Sequence, residues 1–103
     1  MEYRLDNYSR QPGLLTQRLA QNCKRRRLDK GLSRRALAEI TGVPAPTIEH
    51  FENTGKISLE SFCALAIEFD YHDEMASILQ KTKYSTSEEL EAINQNRNRK
   101  NGR

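Results

Sequence analysis

The chain has 103 residues, of which 36% are apolar and 30% are charged, with a formal net charge of +3 and a mean hydropathy of −0.85. This length predicts one small domain with a tail. No apolar run approaches the ~20 residues of a membrane-spanning helix, and no apolar stretch typical of a signal peptide follows the first charged residues. We therefore expect a cytoplasmic protein without membrane contact.

The distribution of charges and cysteines narrows the class of partner. Residues 1–56 carry a net charge of +5, residues 57–96 carry −6 and residues 97–103 carry +4. This pattern predicts a basic front that faces a polyanion and an acidic back that faces a protein, with ordinary surface variation as the alternative. Cys23 and Cys63 stand apart from each other and from paired histidines, so we predict no metal site and no cofactor.

The first part of the chain predicts an arm followed by a long helix. Residues 1–11 mix charges with scattered aromatic residues and are assigned to an N-terminal arm. A helix is predicted from Pro12 to about Lys30, because proline is favoured in a first turn. Its apolar side is formed by residues at helical spacing, namely Leu15, Leu19, Cys23 and Leu28. Four consecutive cations, Lys24 to Arg27, cannot share one helix face, since successive residues lie ~100° apart.

Residues 33–53 form the pattern around which the rest of the chain is organised. Ser33 is placed to cap a helix, and Gly42 follows that helix at a position suited to a positive φ. A second helix begins near Pro44 and Pro46. The buried faces of the two helices are supplied by apolar residues at helical spacing, namely Ala36, Leu37, Ile40, Ile48 and Phe51. Two short helices joined by a glycine turn are the layout of a helix-turn-helix.

This stretch resembles the DNA-binding domains of the lambda-repressor/Cro (xenobiotic-response-element, XRE) family. The resemblance covers about residues 15–80 and is carried by Leu37, Ala38, Thr41, Gly42, Val43, Ile48, Phe51, Glu52, Asn53, Gly55 and Lys56. It implies an all-α fold with a compact five-helix domain over residues 12–82. It also implies a sequence-specific transcriptional regulator that binds double-stranded operator DNA as a homodimer.

The resemblance further implies roles for individual residues. Base edges would be contacted from the start and middle of the second motif helix, by Ala45, Pro46, Thr47 and His50. Since Ala45 and Pro46 offer no side-chain hydrogen bond, DNA shape is expected to supply much of the selectivity. Phosphates would be contacted from the start of the first motif helix and from the loop after the second, by Arg34, Arg35, Asn53 and Lys56, with Arg25 or Arg26 as additions. Arg27 and Glu52 would form a structural ion pair; a phosphate contact by Arg27 is the alternative.

Two further helices are predicted before the C-terminal segment. Ser58 caps the fourth helix, whose apolar residues run at helical spacing to Phe69. Asp73 and Glu74 open the fifth helix, which is predicted to contain Met75, Ile78 and Leu79. These apolar stripes predict core packing or a dimer contact.

Residues 83–103 predict an extra C-terminal helix and a basic tail. Thr86 and Glu89 form a capping box for a helix of about ten residues. Its strong apolar positions are Leu90 and Ile93, which are too few for independent stability. We expect this helix to dock on the chain itself, on a second copy or on another protein.

A narrower resemblance concerns the run from Phe51 to Leu59 followed by Asp73 and Glu74. It is similar to the HipB-like antitoxins that are encoded beside HipA-type kinase toxins. This similarity implies an autorepressor whose protein partner is a HipA-like kinase toxin. A stand-alone or prophage repressor without a toxin partner is the alternative, and a kinase-like gene next to this one discriminates between the two.

The sequence gives less support to two other classes of function. The chain has no Gly-rich phosphate loop, nucleophile elbow or metal-ligand spacing around its two histidines. We therefore predict that it is not an enzyme and assign no catalytic residue. An interaction protein that no longer binds DNA remains an alternative, because Pro44 and Pro46 lie at the helix that would read the bases.

Overall fold

The structure, a computed structural model, describes residues 10–82 and 86–98. Within these ranges the chain forms six α-helices and no strand, which confirms the predicted all-α class. The helices are α1 (Pro12–Asp29), α2 (Arg34–Thr41), α3 (Ala45–Thr54), α4 (Leu59–Glu68), α5 (His72–Ser77) and α6 (Ser87–Arg97). Residues 1–9 and 99–103, which hold most of the predicted arm and basic tail, lie outside the described residues. The domain boundary placed between residues 82 and 83 stays a prediction.

The helix ends follow from local chemistry. The hydroxyls of Ser33, Ser58 and Thr86 each accept a backbone N–H from the first turn of the helix that follows, which satisfies a donor without an intrahelical partner. Helices α2 and α3 end at Gly42 and Gly55, with φ of 82° and 81°. Residues with a Cβ rarely adopt this conformation, so glycine is the favoured residue at both positions.

One apolar core holds α1 to α4 together. Its buried members come from all four helices, from the turn between α2 and α3 and from the residue after α4, namely Ala20, Leu37, Val43, Ile48, Phe51, Leu65 and Phe69. Phe51 of α3 meets Phe62 of α4 edge to face, with ring centroids 5.8 Å apart. This edge-to-face arrangement stabilises the aromatic pair in addition to the stabilisation that comes from burying apolar area.

The end of α3 lies very close to α1. A Cβ on Gly55 would stand 2.9 Å from the backbone nitrogen of Gln17, a distance that real Cβ atoms essentially never show. Gly55 is therefore required twice, for its positive φ and for the close approach of two backbones. This contact fixes the position of the loop that follows α3.

The predicted apolar faces differ from the observed ones at several positions. Leu15, Leu28 and Ile40 are exposed by 40%, 57% and 52%, although the helical spacing placed them on buried faces. Ala20 takes the central position of α1 with 1% exposure. A small residue there allows α3 to approach α1, and Val43 after α2 belongs to the core whereas Ile40 does not.

The fifth helix is shorter than predicted. It ends at Ser77, whose hydroxyl donates a hydrogen bond to the carbonyl of Glu74 at 2.9 Å. Such a side-chain bond competes with the helical backbone pattern. Ile78 is extended, and Leu79 has a φ of +67° and is 95% exposed. The prediction that both residues belong to the helix is therefore wrong.

Helix α6 carries the expected capping box but no buried residue. The Thr86 hydroxyl accepts the Glu89 N–H at 3.1 Å, and the Glu89 carboxylate accepts the Thr86 N–H at 3.4 Å. Ile93 is half-buried and the other residues of α6 are exposed. None of the described helices combines the length and apolarity that crossing a membrane requires.

Candidate nucleic-acid interface

Arg27, Glu52 and Arg34 form an ion cluster that joins α1, α2 and α3. Arg27 makes a two-pronged contact with the Glu52 carboxylate, with Nε 2.7 Å from Oε2 and Nη2 3.0 Å from Oε1. Its Nη1 donates to the carbonyl of Leu32 at 2.9 Å. Arg34 adds a third contact, with Nε 3.0 Å from Oε1 of Glu52. Fork geometry of this kind is among the strongest hydrogen bonding between side chains.

Burial and charge act in opposite directions on Glu52. Its side chain is only 2% exposed, and burial by itself raises the pKa of the carboxyl. The hydrogen bonds and positive charges of Arg27 and Arg34 outweigh burial, so the pKa of Glu52 lies below its ordinary value. The ion cluster therefore carries a net charge of +1 at neutral pH. Arg34 is the member of the cluster that is most exposed to solvent.

Arg34 remains partly available to an external anion. Its side chain is 33% exposed, and only its Nε is engaged with Glu52. The terminal nitrogens have no hydrogen-bond partner within the described residues. Since arginine has five N–H donors in a planar fork, the same side chain can brace Glu52 and still present donors outward.

The start of α2 favours an anion. Arg34 and Arg35 occupy its first turn, and no acidic residue is present there. A cation beside the positive end of a helix dipole is unfavourable by roughly 0.3–1 kcal/mol, whereas an anion is stabilised there by a similar amount. Two arginines at this position therefore lower the stability of the helix, and together with the helix N-terminus they form a site suited to a negative group such as phosphate.

The loop after α3 is held by its own hydrogen bonds. The Thr54 hydroxyl donates to the carbonyl of His50 at 2.7 Å and accepts the N–H of Lys56 at 3.1 Å. The side chains of Asn53 and Lys56 are exposed. Because Arg34 contacts Glu52, the start of α2 and this loop meet at the C-terminal end of α3. Asn53 lies in the last turn of α3 and not in the loop where the sequence placed it, so the four residues expected to contact phosphate come from the start of α2, the end of α3 and the loop that follows.

The outer face of α3 is exposed to solvent. At ~100° per residue, Pro46, His50 and Asn53 fall within one narrow arc, opposite to the buried Ile48 and Phe51. All three outer side chains are exposed, and none makes a hydrogen bond within the described residues. The core thus holds α3 rigidly and leaves a complete face open.

Comparison with known families matches residues 24–74 to the family described as Helix-turn-helix. This segment is an XRE-type, lambda-repressor/Cro-like helix-turn-helix domain. Searches of the curated proteins and of the solved structures returned no match. The matched residues run from the second half of α1 to the start of α5, so the helix-turn-helix itself is α2, the Gly42 turn and α3. The family supports a DNA-binding transcription regulator. In helix-turn-helix proteins generally, the second helix of the motif, which corresponds to α3, is the one that enters the major groove.

The helix-turn-helix presents the residues expected to contact bases in two ways. Pro46 and His50 lie on the exposed arc of α3, whereas Ala45 and Thr47 flank it and are half-buried. Of the four, Thr47 and His50 carry polar side-chain groups. An exposed imidazole can donate to a guanine acceptor, and proline offers apolar contact to a thymine methyl group.

Sequence reasoning missed Glu49. This residue is exposed, and its helical angle places it between Ala45 and Asn53 on the arc that faces outward. A carboxylate in the major groove accepts a hydrogen bond from the cytosine amino group and repels phosphates. Its spacing, three residues after Pro46, was the available signal.

Proposed function

We propose that this regulator binds an operator near its own gene as a homodimer and represses transcription from it. In this proposal Ala45, Pro46, Thr47 and His50 contact base edges. Phosphates are contacted by Arg34, Arg35, Asn53 and Lys56. The ion pair between Arg27 and Glu52 holds α3 in place but does not contact DNA.

The open face of α3 carries the proposal. Pro46 and His50 face outward on a helix whose opposite side is locked into the core through Ile48 and Phe51. Positive groups adjoin one end of this face, at the start of α2 and at Lys56. A rigid helix with a free polar face and flanking cations suits insertion into a groove lined by phosphates.

The size of the contact supports the proposed dimer. One recognition helix of ten residues is ~15 Å long and reads about half a turn of duplex. Two copies related by a two-fold axis would meet successive major grooves on one side of the DNA. The proposed operator is therefore an inverted repeat with half-sites about one helical turn apart.

The decisive experiment measures binding of the full chain to labelled DNA from upstream of its own gene, across a salt series with random DNA as competitor. Competitor-resistant binding with a steep salt dependence is the expected result. Binding no tighter than to random DNA would contradict autorepression and leave a distant operator or an interaction protein without DNA binding.

Variants separate positioning from readout. Arg35→Ala should weaken binding to operator and random DNA alike and reduce the salt slope by about 1. Lys81→Ala removes an exposed cation outside the motif and should leave the slope unchanged. His50→Ala should instead alter the preference among operator base pairs, by ~1–3 kcal/mol at the pair it reads. If Arg35→Ala changed that preference, its assignment to phosphate would be wrong.

We further propose that the regulator is the antitoxin of a HipA-type toxin–antitoxin operon. The support is the resemblance of the run from Phe51 to Leu59 to HipB-like antitoxins. A second support is a set of exposed apolar residues on α4 and after α5, away from the α3 face: Leu59, Ile67, Ile78 and Leu79. Co-expression with the product of any adjacent kinase-like gene, followed by purification of a stable complex, tests this role. The absence of such a gene would favour a stand-alone or prophage repressor.

A further inference from the structure

A groove lies between α1, α4 and α5, and none of the residues that line it is placed against DNA in the proposed function. Its volume is about 440 Å³, which is within the range of pockets that hold ligands. Its walls are mostly apolar and include Leu19, Cys23, Phe62, Phe69, Met75 and Ile78. Such a groove suits an apolar side chain or a short amphipathic helix.

The groove also carries a positive edge. Arg25 and Arg26 line it together with Glu74, so its charged lining residues sum to +1. Arg26 reaches Asp29 with its terminal nitrogen at 2.8 Å, but its Nε is buried without a hydrogen-bond partner in the described part of the chain. A buried donor without an acceptor costs stability, so an occupant that brings a carboxylate would be favoured.

Helix α6 offers the matching features. Leu90 and Ile93 lie ~60° apart around the helix axis and form its apolar stripe, and Glu89 flanks that stripe. Leu90 is 41% exposed. Glu88, Glu89 and Glu91 against Arg97 give α6 a net charge of −2. A helix of eleven residues with two apolar anchors is marginal in water without a partner.

We propose that the groove between α1, α4 and α5 binds helix α6 of a second copy of this chain. Leu90 and Ile93 enter the apolar part of the groove, and the acidic first turn of α6 lies against Arg25 and Arg26. The exchange is reciprocal, so both grooves and both helices are covered in a closed two-fold dimer. This inference rests on the homodimer of the proposed function and specifies its contact.

Photochemical cross-linking of the full chain tests the occupant. A benzophenone amino acid replaces Leu90, or Glu91 ~100° further round the helix as the matched control. Chains of normal and ¹⁵N-labelled protein are mixed, irradiated and mapped by mass spectrometry. The expected product joins a light to a heavy chain, from position 90 to α1 or α4 residues that line the groove, several-fold more than from position 91. Links within one chain only, links outside the groove, or none, would overturn the proposal.

Dimer strength gives an independent measurement. Leu90→Glu combined with Ile93→Glu should raise the dissociation constant of the dimer at least about tenfold in sedimentation. The unfolding midpoint of the monomer should be unchanged, because neither residue is part of the core. On the groove side, Arg25→Glu should weaken the dimer several-fold. Lys24→Glu, the same charge change at an exposed neighbour that does not line the groove, should not. Equal effects of these two variants would overturn the proposed contact.

Operator binding by the wild-type chain separates the two proposals. A dimer that binds operator but cross-links elsewhere would remove the α6 contact and leave the proposed function standing. A wild-type chain that is monomeric at micromolar concentration and does not bind the upstream DNA would contradict the proposed function and, with it, this inference.

Discussion

Helices α3 and α6 have nearly the same length, ten and eleven residues, but they are held in place by different means. The start of α3 has a proline in its first turn, which is favoured there, but Pro44 is the N-cap and no side chain hydrogen-bonds to the first turn. Two buried residues, an ion cluster and a close approach to α1 nevertheless hold it. The start of α6 has a complete capping box and two acidic residues in its first turn, but the helix buries none of its residues.

The comparison shows that strong local signals and strong tertiary anchoring are separate properties. The recognition helix needs a fixed position, because displacement of a reading side chain by an ångström loses its hydrogen bonds. Its stability comes from buried contacts with α1, α2 and α4. The capping box forms α6 locally and leaves its apolar stripe available for a partner. Four predictions test this contrast.

The largest effect is expected at the ion cluster. Glu52→Ala leaves Arg27 buried without its carboxylate, and breaking a buried pair from one side costs about 3–5 kcal/mol. Glu39→Ala removes an exposed carboxylate on α2 and should change the free energy of unfolding by less than ~0.5 kcal/mol. Urea unfolding of both variants measures the difference; equal midpoints would show that the ion cluster does not hold α3.

Leucine truncation compares the core with α6 directly. Leu65 is 1% exposed, and Leu65→Ala should cost about 2–5 kcal/mol, because it leaves a cavity in the core. Leu90→Ala on α6 should change monomer stability by less than ~0.5 kcal/mol. The check is chemical denaturation at a concentration below the dimer dissociation constant. A large loss for Leu90→Ala would mean that α6 packs on its own chain.

Two glycines separate backbone strain from close approach. Gly42→Ala meets no neighbour within 4 Å but places a Cβ at a φ of +82°, which costs roughly 1–2 kcal/mol. Gly55→Ala has the same strain and also drives a Cβ against the backbone of Gln17, adding about 1–3 kcal/mol of overpacking. Thermal unfolding should rank Gly55→Ala as the less stable variant. Equal losses would mean that α1 yields at this contact without cost.

Acid sensitivity should show the smallest effect. The folded-state pKa of Glu52 lies below its ordinary value of 4.5. Its stabilising contribution is therefore complete above that value and is lost as pH falls through the lower folded pKa. The gap in urea midpoint between wild type and Glu52→Gln should be constant near neutral pH and should narrow below about pH 4.5. A gap that widened on acidification would contradict the direction of the shift.

Local features of this fold were predictable from the sequence because they depend on neighbours in the chain. The caps at Ser33, Ser58 and Thr86 and the glycine turn at Gly42 each involve residues within four positions of one another. Ala20 was not predicted as a core residue and Ile40 was wrongly predicted as one, for the opposite reason. Helical spacing indicates which face of a helix is apolar, but tertiary packing determines which residues of that face are buried.

The candidate site divides in the same way. Family resemblance supplied positions for the residues expected to face DNA, and the exposure of Pro46 and His50 on α3 required the fold. The contact of Arg34 with Glu52 was not expected from the sequence, because an arginine in a first turn without an obvious partner is interpreted as a phosphate contact. The outward position of Glu49 was indicated by its spacing from Pro46, and its exposure is seen in the fold.

The sequence by itself determined where helices begin and turn, and that the chain carries a helix-turn-helix. Hydrogen-bonding and steric preferences of the backbone act over three or four residues, so these features are determined by residues that are close together in the sequence. Only the tertiary structure decided that Arg34 joins Arg27 on the Glu52 carboxylate, which face of α3 stays open and which apolar residues remain uncovered. Those outcomes depend on which helices meet, because burial and ion pairing join residues that are far apart in the chain.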